Sequence, residues 1–261
     1  MNQHSTSPIQ PFLHRLLLRS GLSAKEQRAV LSLTGETERW TAHRDIVAPG
    51  QTVNAACLVT RGLVGRYDIM VDGQRQVTSF YIAGDMCDLL SVVVPKASWS
   101  FTSICDCTVL RVPHSQLRDL CLEYPAVSMA FWRDGTVDAS IFAKWVGNLG
   151  RKNSKARIAH LICEMGTRIE AAGLGTREAF ELPLTQQQLA DATGMTSVHV
   201  NRMLQELRGD GLLAFSNGHI AIENWETLAG VAEFDPVYLL LDATPQRLTR
   251  LDADVRQPPM H

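Results

Sequence analysis

No apolar run in this 261-residue chain is long enough to span a bilayer, and Leu16–Leu18 is only a short run inside an amphipathic segment. A membrane-spanning helix is therefore not expected. The N-terminus carries no signal-peptide pattern, so a cytoplasmic location is expected. An excess of one charge sign is also missing. A net charge of −2 argues against a non-specific nucleic-acid coating protein, which would be strongly basic. It leaves room for a specific binder, which needs positive charge on one face only. The six cysteines (Cys57, Cys87, Cys105, Cys107, Cys121 and Cys163) are spread irregularly, and reduced thiols are expected rather than a disulfide framework. Catalytic motifs are absent too. There is no nucleophile elbow, P-loop or glycine-rich dinucleotide turn, and residues 38–113 hold no His-x-His and Glu metal set. No enzymatic activity, cofactor or metal site is expected.

What is present is a globular composition, 45% hydrophobic and 20% charged, in a chain long enough for two domains. The most informative stretch is TQQQLADATGMTSVHVNRMLQELR, residues 185–208. Thr185 and Gln188 have the spacing of a capping box and open a short helix. Leu189 points inward, and the small Ala190 lets a second helix approach. Gly194 supplies a sharp turn, and Thr196 caps a following helix whose Val200, Met203, Leu204 and Leu207 share one face. Ser197, His199 and Arg202 are left polar and outward near that helix's N-terminus, the end that meets base edges in a major groove. An ordinary helical hairpin is the alternative, but these positions fall in register for a DNA-binding helix-turn-helix. The candidate contact set is Thr185, Gln186, Thr196, Ser197, His199 and Arg202, with Asn217 and His219 from the hairpin that follows. Arg151, Lys152, Lys155 and Arg157 form a basic cluster just before this region.

Along the chain, residues 1–10 are polar and expected to be disordered, and two short helices are predicted near 11–19 and 23–34. From about Glu38 to Pro113, stretches rich in Val, Ile, Thr, Tyr and Phe are punctuated by Gly-bearing turns. That texture predicts a sandwich or barrel, with Asp72-Gly73 as its clearest hairpin. A short helix at Gln116–Glu123 and a long one from about Ala126 to Leu149 follow. The long helix carries Val127, Phe131, Val137, Ile141, Trp145 and Leu149 as its candidate dimerisation stripe, the alternative being a helix buried within its own chain. Next come a polar hinge at residues 151–154, a helix near 154–171 and an edge strand near Glu178–Leu184. After the helix-turn-helix, two strands around Asn217-Gly218 make a wing. The closing segment holds an apolar patch, Val237–Leu241, and a Pro-containing tail expected to fray.

A β-roll, a long helix, a hinge and a winged helix, in that order over about residues 10–230, resemble the Crp/Fnr (cyclic-AMP receptor and fumarate-nitrate regulator) family of bacterial transcription factors. The likeness is most specific at Leu184–Leu213, at the Val146–Leu149 to Arg157–Ala159 junction and at the Gly84-Asp85 turn. It implies an α+β fold: a cyclic-nucleotide-binding-like jelly-roll sensor over 1–125, a dimerisation helix over 126–150, a winged helix-turn-helix over 151–230 and an extension over 231–261. It also implies a homodimer on a palindromic operator in double-stranded DNA, with RNA polymerase as downstream partner. Carried over, Arg202 would pair with guanine O6 and N7, and Ser197 and His199 would contact neighbouring bases or phosphates. Val198 stands where well-studied members carry Glu. It cannot accept from cytosine, but its methyls suit a thymine methyl.

The sensor departs from the family as well. The candidate effector pocket is Gly84, Asp85, Cys87, Lys96 and Ser98, yet no Arg lies between Gln76 and Cys105 to clamp a cyclic phosphate. Control by something other than cyclic nucleotide is expected, with a cyclic-nucleotide-dependent regulator as the alternative. The N-terminal cysteines that hold an iron–sulfur cluster in the family's oxygen sensors are missing, since Cys57 comes first. Cys105 and Cys107, two apart on a strand, share a face, and with Cys87 they form a candidate redox cluster unless they are simply buried small hydrophobes. His14, His43 and His114 are the candidate haem ligands. A redox or haem sensor whose winged helix binds protein is the remaining alternative.

Overall fold

The computed structural model describes residues 7–241 and residue 245. The N-terminal residues 1–6 and the polar tail beyond the described residues therefore carry no test of the disorder expected of them. Ile9 is already fully buried, and Pro11 stands in the first turn of α1 (Gln10–Leu17). Helix α2 (Ala24–Leu31) opens on a complete capping box, with Ser23 Oγ accepting from the Glu26 amide and Glu26 returning a bond to Ser23.

The β-rich part forms two facing sheets. One has the order β1-β7-β3, from β1 (Glu36–Trp40), β3 (Ala55–Arg61) and β7 (Cys107–Pro113). The other runs β2-β6-β4-β5, from β2 (Asp45–Val47), β4 (Val64–Ile69), β5 (Arg75–Tyr81) and β6 (Ser100–Ser103). Alternation decides what each face buries. On β7, Cys107 and Val109 enter the roll interior with Cys57, Val59, Val64, Tyr81 and Phe101, while Leu110 and Val112 point the other way into the helices. The β4–β5 hairpin closes at Asp72-Gly73 as predicted, with Gly73 at φ +84°.

Helix α3 (His114–Glu123) leads into α4 (Pro125–Arg151). The stripe expected to meet a partner is here corrected. Val127 and Phe131 pack with Phe12, Leu16 and Leu117, and Val137, Ile141 and Trp145 pack with Phe80, Ile82 and Ile158 of the same chain. Leu149 is half-buried and lies against the helix-turn-helix, its Cδ2 only 3.1 Å from where a Cβ on Gly194 would stand. The outward face of α4 carries a second apolar stripe instead: Trp132 (76% exposed), Ala139, Phe142 and Val146. Both stripes have helical spacing, and the wider one was claimed by the chain's own helices and sheet.

Helix α5 (Ser154–Ala171), capped by Asn153, begins the last domain. Strand β8 (Ala179–Glu181), helices α6 (Gln186–Thr193) and α7 (Ser197–Gly209), and strands β9 (Leu213–Ser216) and β10 (His219–Ile222) follow, with sheet order β8-β10-β9. Helix α8 (Trp225–Ala232) and a 3-10 turn (Pro236–Leu239) close the described chain.

Candidate nucleic-acid interface

Local chemistry builds the reading unit. Thr185 Oγ1 accepts from the Gln188 amide and Gln188 Oε1 accepts from the Thr185 amide, so α6 starts on the predicted capping box. Gly194 ends α6 in the left-handed region at φ +64°, where a side chain is strained. Thr196 then caps α7 by accepting from His199. Val200, Met203, Leu204 and Leu207 are buried, holding α7 against α5 and α6.

The rotation this imposes leaves Val198 (79% exposed), Asn201 and Arg202 outward, with Ser197 and His199 half-buried beside them. Arg202 lies 3.4 Å from His199 Nδ1 and 3.9 Å from Glu206, both weak contacts on an exposed face. Its guanidinium is thus held in a loose fork without being used up. Gln186 of α6 donates to Asn201 Oδ1 at 3.2 Å, tying the two helices across the reading face. In the wing, Asn217 (φ 51°) and Gly218 (φ 78°) form the paired positive-φ turn that a two-residue hairpin demands, and Asn217 and His219 are exposed beside it. Of the eight sequence-predicted residues, six lie on α6, α7 and their caps, and Asn217 and His219 lie on the wing. Asn201 was missed, although it lies four residues from Ser197 and so on the same helical face.

The basic cluster has another job. Lys152 Nζ donates to the carbonyls of Ala232 and Glu233, Arg157 binds the carbonyls of Lys152 and Thr193, and Lys155 pairs with Asp210. Of the four cations only Arg151 is exposed. Lys152 and Arg157 stitch the hinge and are thereby withdrawn from phosphate contact, whereas the Lys155–Asp210 pair lies at the surface.

The candidate effector pocket does not assemble. Asp85 is buried between domains, accepting from Arg15 of α1 at 2.5 Å, from Arg168 of α5 at 2.9 Å and from the Ile82 amide at 2.9 Å. Gly84 packs on Pro11, whose carbonyl oxygen lies 3.2 Å from where a Cβ would stand. Lys96 and Ser98 are exposed on the loop before β6, and Cys87 points into the filled roll interior.

The thiols are arranged differently from expectation as well. Cys105 lies in the bend between β6 and β7 and only Cys107 is on a strand, so the shared-face argument fails. Cys87 donates instead to the Cys57 carbonyl. Burial pushes the Cys107 thiol up to about 12 and Cys87 well above its usual range, so neither offers a thiolate at neutral pH. His14 bonds the Ala171 carbonyl, His114 bonds Ser91 and His43 sits in an exposed turn, each in a separate place. No group of three or more His, Cys, Asp or Glu among the described residues is arranged to hold a metal ion.

Comparison with known proteins agrees with this architecture. Residues 37–124 match the family of cyclic nucleotide-binding domains, and residues 156–231 match the family of Crp-like helix-turn-helix domains. The fumarate and nitrate reduction regulatory protein of Escherichia coli is 25% identical over 183 residues, covering 70% of this chain and 73% of the relative. A probable transcriptional activator of Rhizobium leguminosarum is 24% identical over 209 residues, covering 80% and 86%. The fold is shared with FixK2 from Bradyrhizobium japonicum, with a TM-score of 0.67 at 23% identity over 76% of this chain and 98% of that one. A roll, a long helix and a winged reading unit in this order, matched by both domain families, make the chain a member of the Crp/Fnr family of DNA-binding transcriptional regulators.

Proposed function

We propose that two copies pair along α4 through Trp132, Ala139, Phe142 and Val146 and read a palindromic operator, each copy placing α7 in a major groove. The half-sites then lie about one helical turn, roughly 34 Å, apart. The observation that carries this reading is the exposed face of α7, where Val198, Asn201 and Arg202 stand outward. The chemistry of that trio suggests what is read. Arg202 matches guanine O6 and N7, Asn201 matches adenine N6 and N7, and Val198 matches a thymine methyl. The exposed apolar stripe on α4 supports the dimer, since a run of Trp, Phe and Val on a surface helix is stabilised by cover. RNA polymerase is the downstream partner in this reading, which places the protein in the cytoplasm.

Control comes from something other than a cyclic nucleotide. Two features support this. The segment from Gln76 to Cys105 offers no guanidinium, and Tyr81, Phe101, Val47, Val59, Val64 and Val109 fill the roll interior. Selection from random duplex DNA at physiological salt tests the reading, the expected product being a two-fold motif. Arg202→Ala is expected to relax preference at one base pair per half-site, by roughly 1–3 kcal/mol. Recovery of no two-fold motif, or a steep salt dependence with no sequence preference, would overturn it.

A further inference from the structure

The residues that follow the matched helix-turn-helix region do not trail away from the fold. Beyond residue 231 the chain turns through Glu233 in the left-handed region (φ 46°) and runs back over the hinge between α4 and α5. Lys152, the residue that ends α4, donates to Ala232 at 2.5 Å, to Glu233 at 3.2 Å and to His160 Nδ1 at 3.1 Å. An ammonium only donates, so His160 accepts at Nδ1 and carries its proton on Nε2. That Nε2 faces Tyr238 at 3.2 Å, and Tyr238 in turn donates to Glu164 at 2.8 Å. Every group in the relay Lys152, His160, Tyr238, Glu164 is thereby satisfied in one direction.

The same segment also reaches the sensor. Leu239 is fully buried, and its carbonyl accepts from Arg19, in the turn that follows α1, at 2.9 Å. Phe234 packs edge-on against His160 at 5.2 Å, and Lys144 of α4 stands over the Tyr238 ring at 5.2 Å. Ten residues therefore touch α4, α5, the hinge and the turn that follows α1.

We propose that residues 232–241 are an intramolecular strap that fixes the DNA-binding domain against the sensor domain across the α4–α5 hinge. The orientation of the reading helix is then set by the C-terminal segment as well as by α4, and releasing Tyr238 and Leu239 frees the hinge. The proposal rests on hydrogen bonds and packing within one chain, so its test uses no DNA and can fail separately from the operator reading.

Hydrogen exchange in the full-length chain decides it. Tyr238→Phe removes one oxygen from the relay, and Leu239→Ala weakens the apolar seat shared with α4 and α5. Each is expected to speed exchange of the hinge amides 152–157 by about tenfold or more, the loss of one bond to a charged group sufficing for that. Amides of β3 and β7 keep their wild-type rates. Unchanged hinge exchange in Tyr238→Phe overturns the strap. So does an equal rise in hinge and strands, which would mean that the segment merely closes the core. Should Leu239→Ala fail to fold, Tyr238→Phe still decides.

Discussion

Replacing Asp85 by Ala separates a ligand-binding turn from a structural strut. Asp85 is buried and accepts three bonds, from Arg15, Arg168 and the Ile82 amide. Removing one partner of a buried pair ordinarily costs about 3–5 kcal/mol, because a charge stays behind uncompensated. Here each arginine keeps other acceptors. Arg15 retains Asp134 at 2.7 Å and Asp138 at 3.5 Å, and Arg168 retains Glu164 at 3.3 Å and the Phe80 carbonyl at 2.7 Å. The low end of the range applies, about 3 kcal/mol. For a chain of this size that lowers the melting temperature by roughly 6–12 °C.

The sharper measurement is a double-mutant cycle with Arg168→Met, read by urea unfolding. Asp85 follows the roll's β5 and Arg168 belongs to α5, so a coupling of about 1 kcal/mol or more reports a bond between domains. If Asp85 instead serves only to hold a ligand, Asp85→Ala leaves the ligand-free protein as stable as wild type. The two substitutions then add to within about 0.5 kcal/mol. That outcome would refute the strut.

Three further expectations follow from the same geometry. Burial pushes the Asp88 carboxyl up to about 6, so the folded state holds its proton more tightly than the unfolded chain. The stability gained from that proton is complete below the ordinary value of 3.8 and is lost as pH rises through about 6. Asp88→Asn should therefore gain on wild type by up to about 3 kcal/mol on going from pH 4 to pH 7, measured by urea titration across that range. Gly194→Ala forces a left-handed φ of +64° on a residue with a Cβ and pushes that carbon to 3.1 Å from Leu149. A loss of about 1–2 kcal/mol is expected in thermal unfolding, with no loss overturning the left-handed assignment. Phe142→Glu puts a charge in the middle of the outer α4 stripe, so sedimentation should show a shift towards monomer, whereas Val146→Leu should leave the dimer intact.

Much of the reading unit was legible because its determinants are local. Thr185 with Gln188, Gly194, Thr196 and Asn217-Gly218 each specify a cap or turn within four residues, and the structure returns each of them. What the sequence could not display were partners far along the chain. The Gly84-Asp85 turn looks like a ligand loop until Arg15 and Arg168, 70 and 83 residues away, are brought to it. Lys152 and Arg157 look like phosphate binders until carbonyls from Ala232 and Thr193 occupy them. Helix α4 carries two apolar stripes of the same period. Sequence spacing reports that both exist, and only the packing of the sheet and the neighbouring helices decides which one is covered.

These long-range bonds also limit how the protein can switch. Helix α6 packs on β5, Arg157 holds the last turn of α6 through Thr193, and Arg168 anchors α5 to the roll at Asp85 and Phe80. Turning α5 away from the roll would break the buried bonds from Arg168, each worth about 1.5–3 kcal/mol. Among the described residues, the break between α4 and α5 is the short segment from Lys152 to Asn153. An effector that repositions the reading helices has to act on that joint, and the differential free energy it supplies must exceed what Lys152, Tyr238 and Arg168 hold between them. An effector site in the roll interior could meet that demand only by displacing the turn that presents Asp85, because Asp85 carries the roll's charged contact to α5.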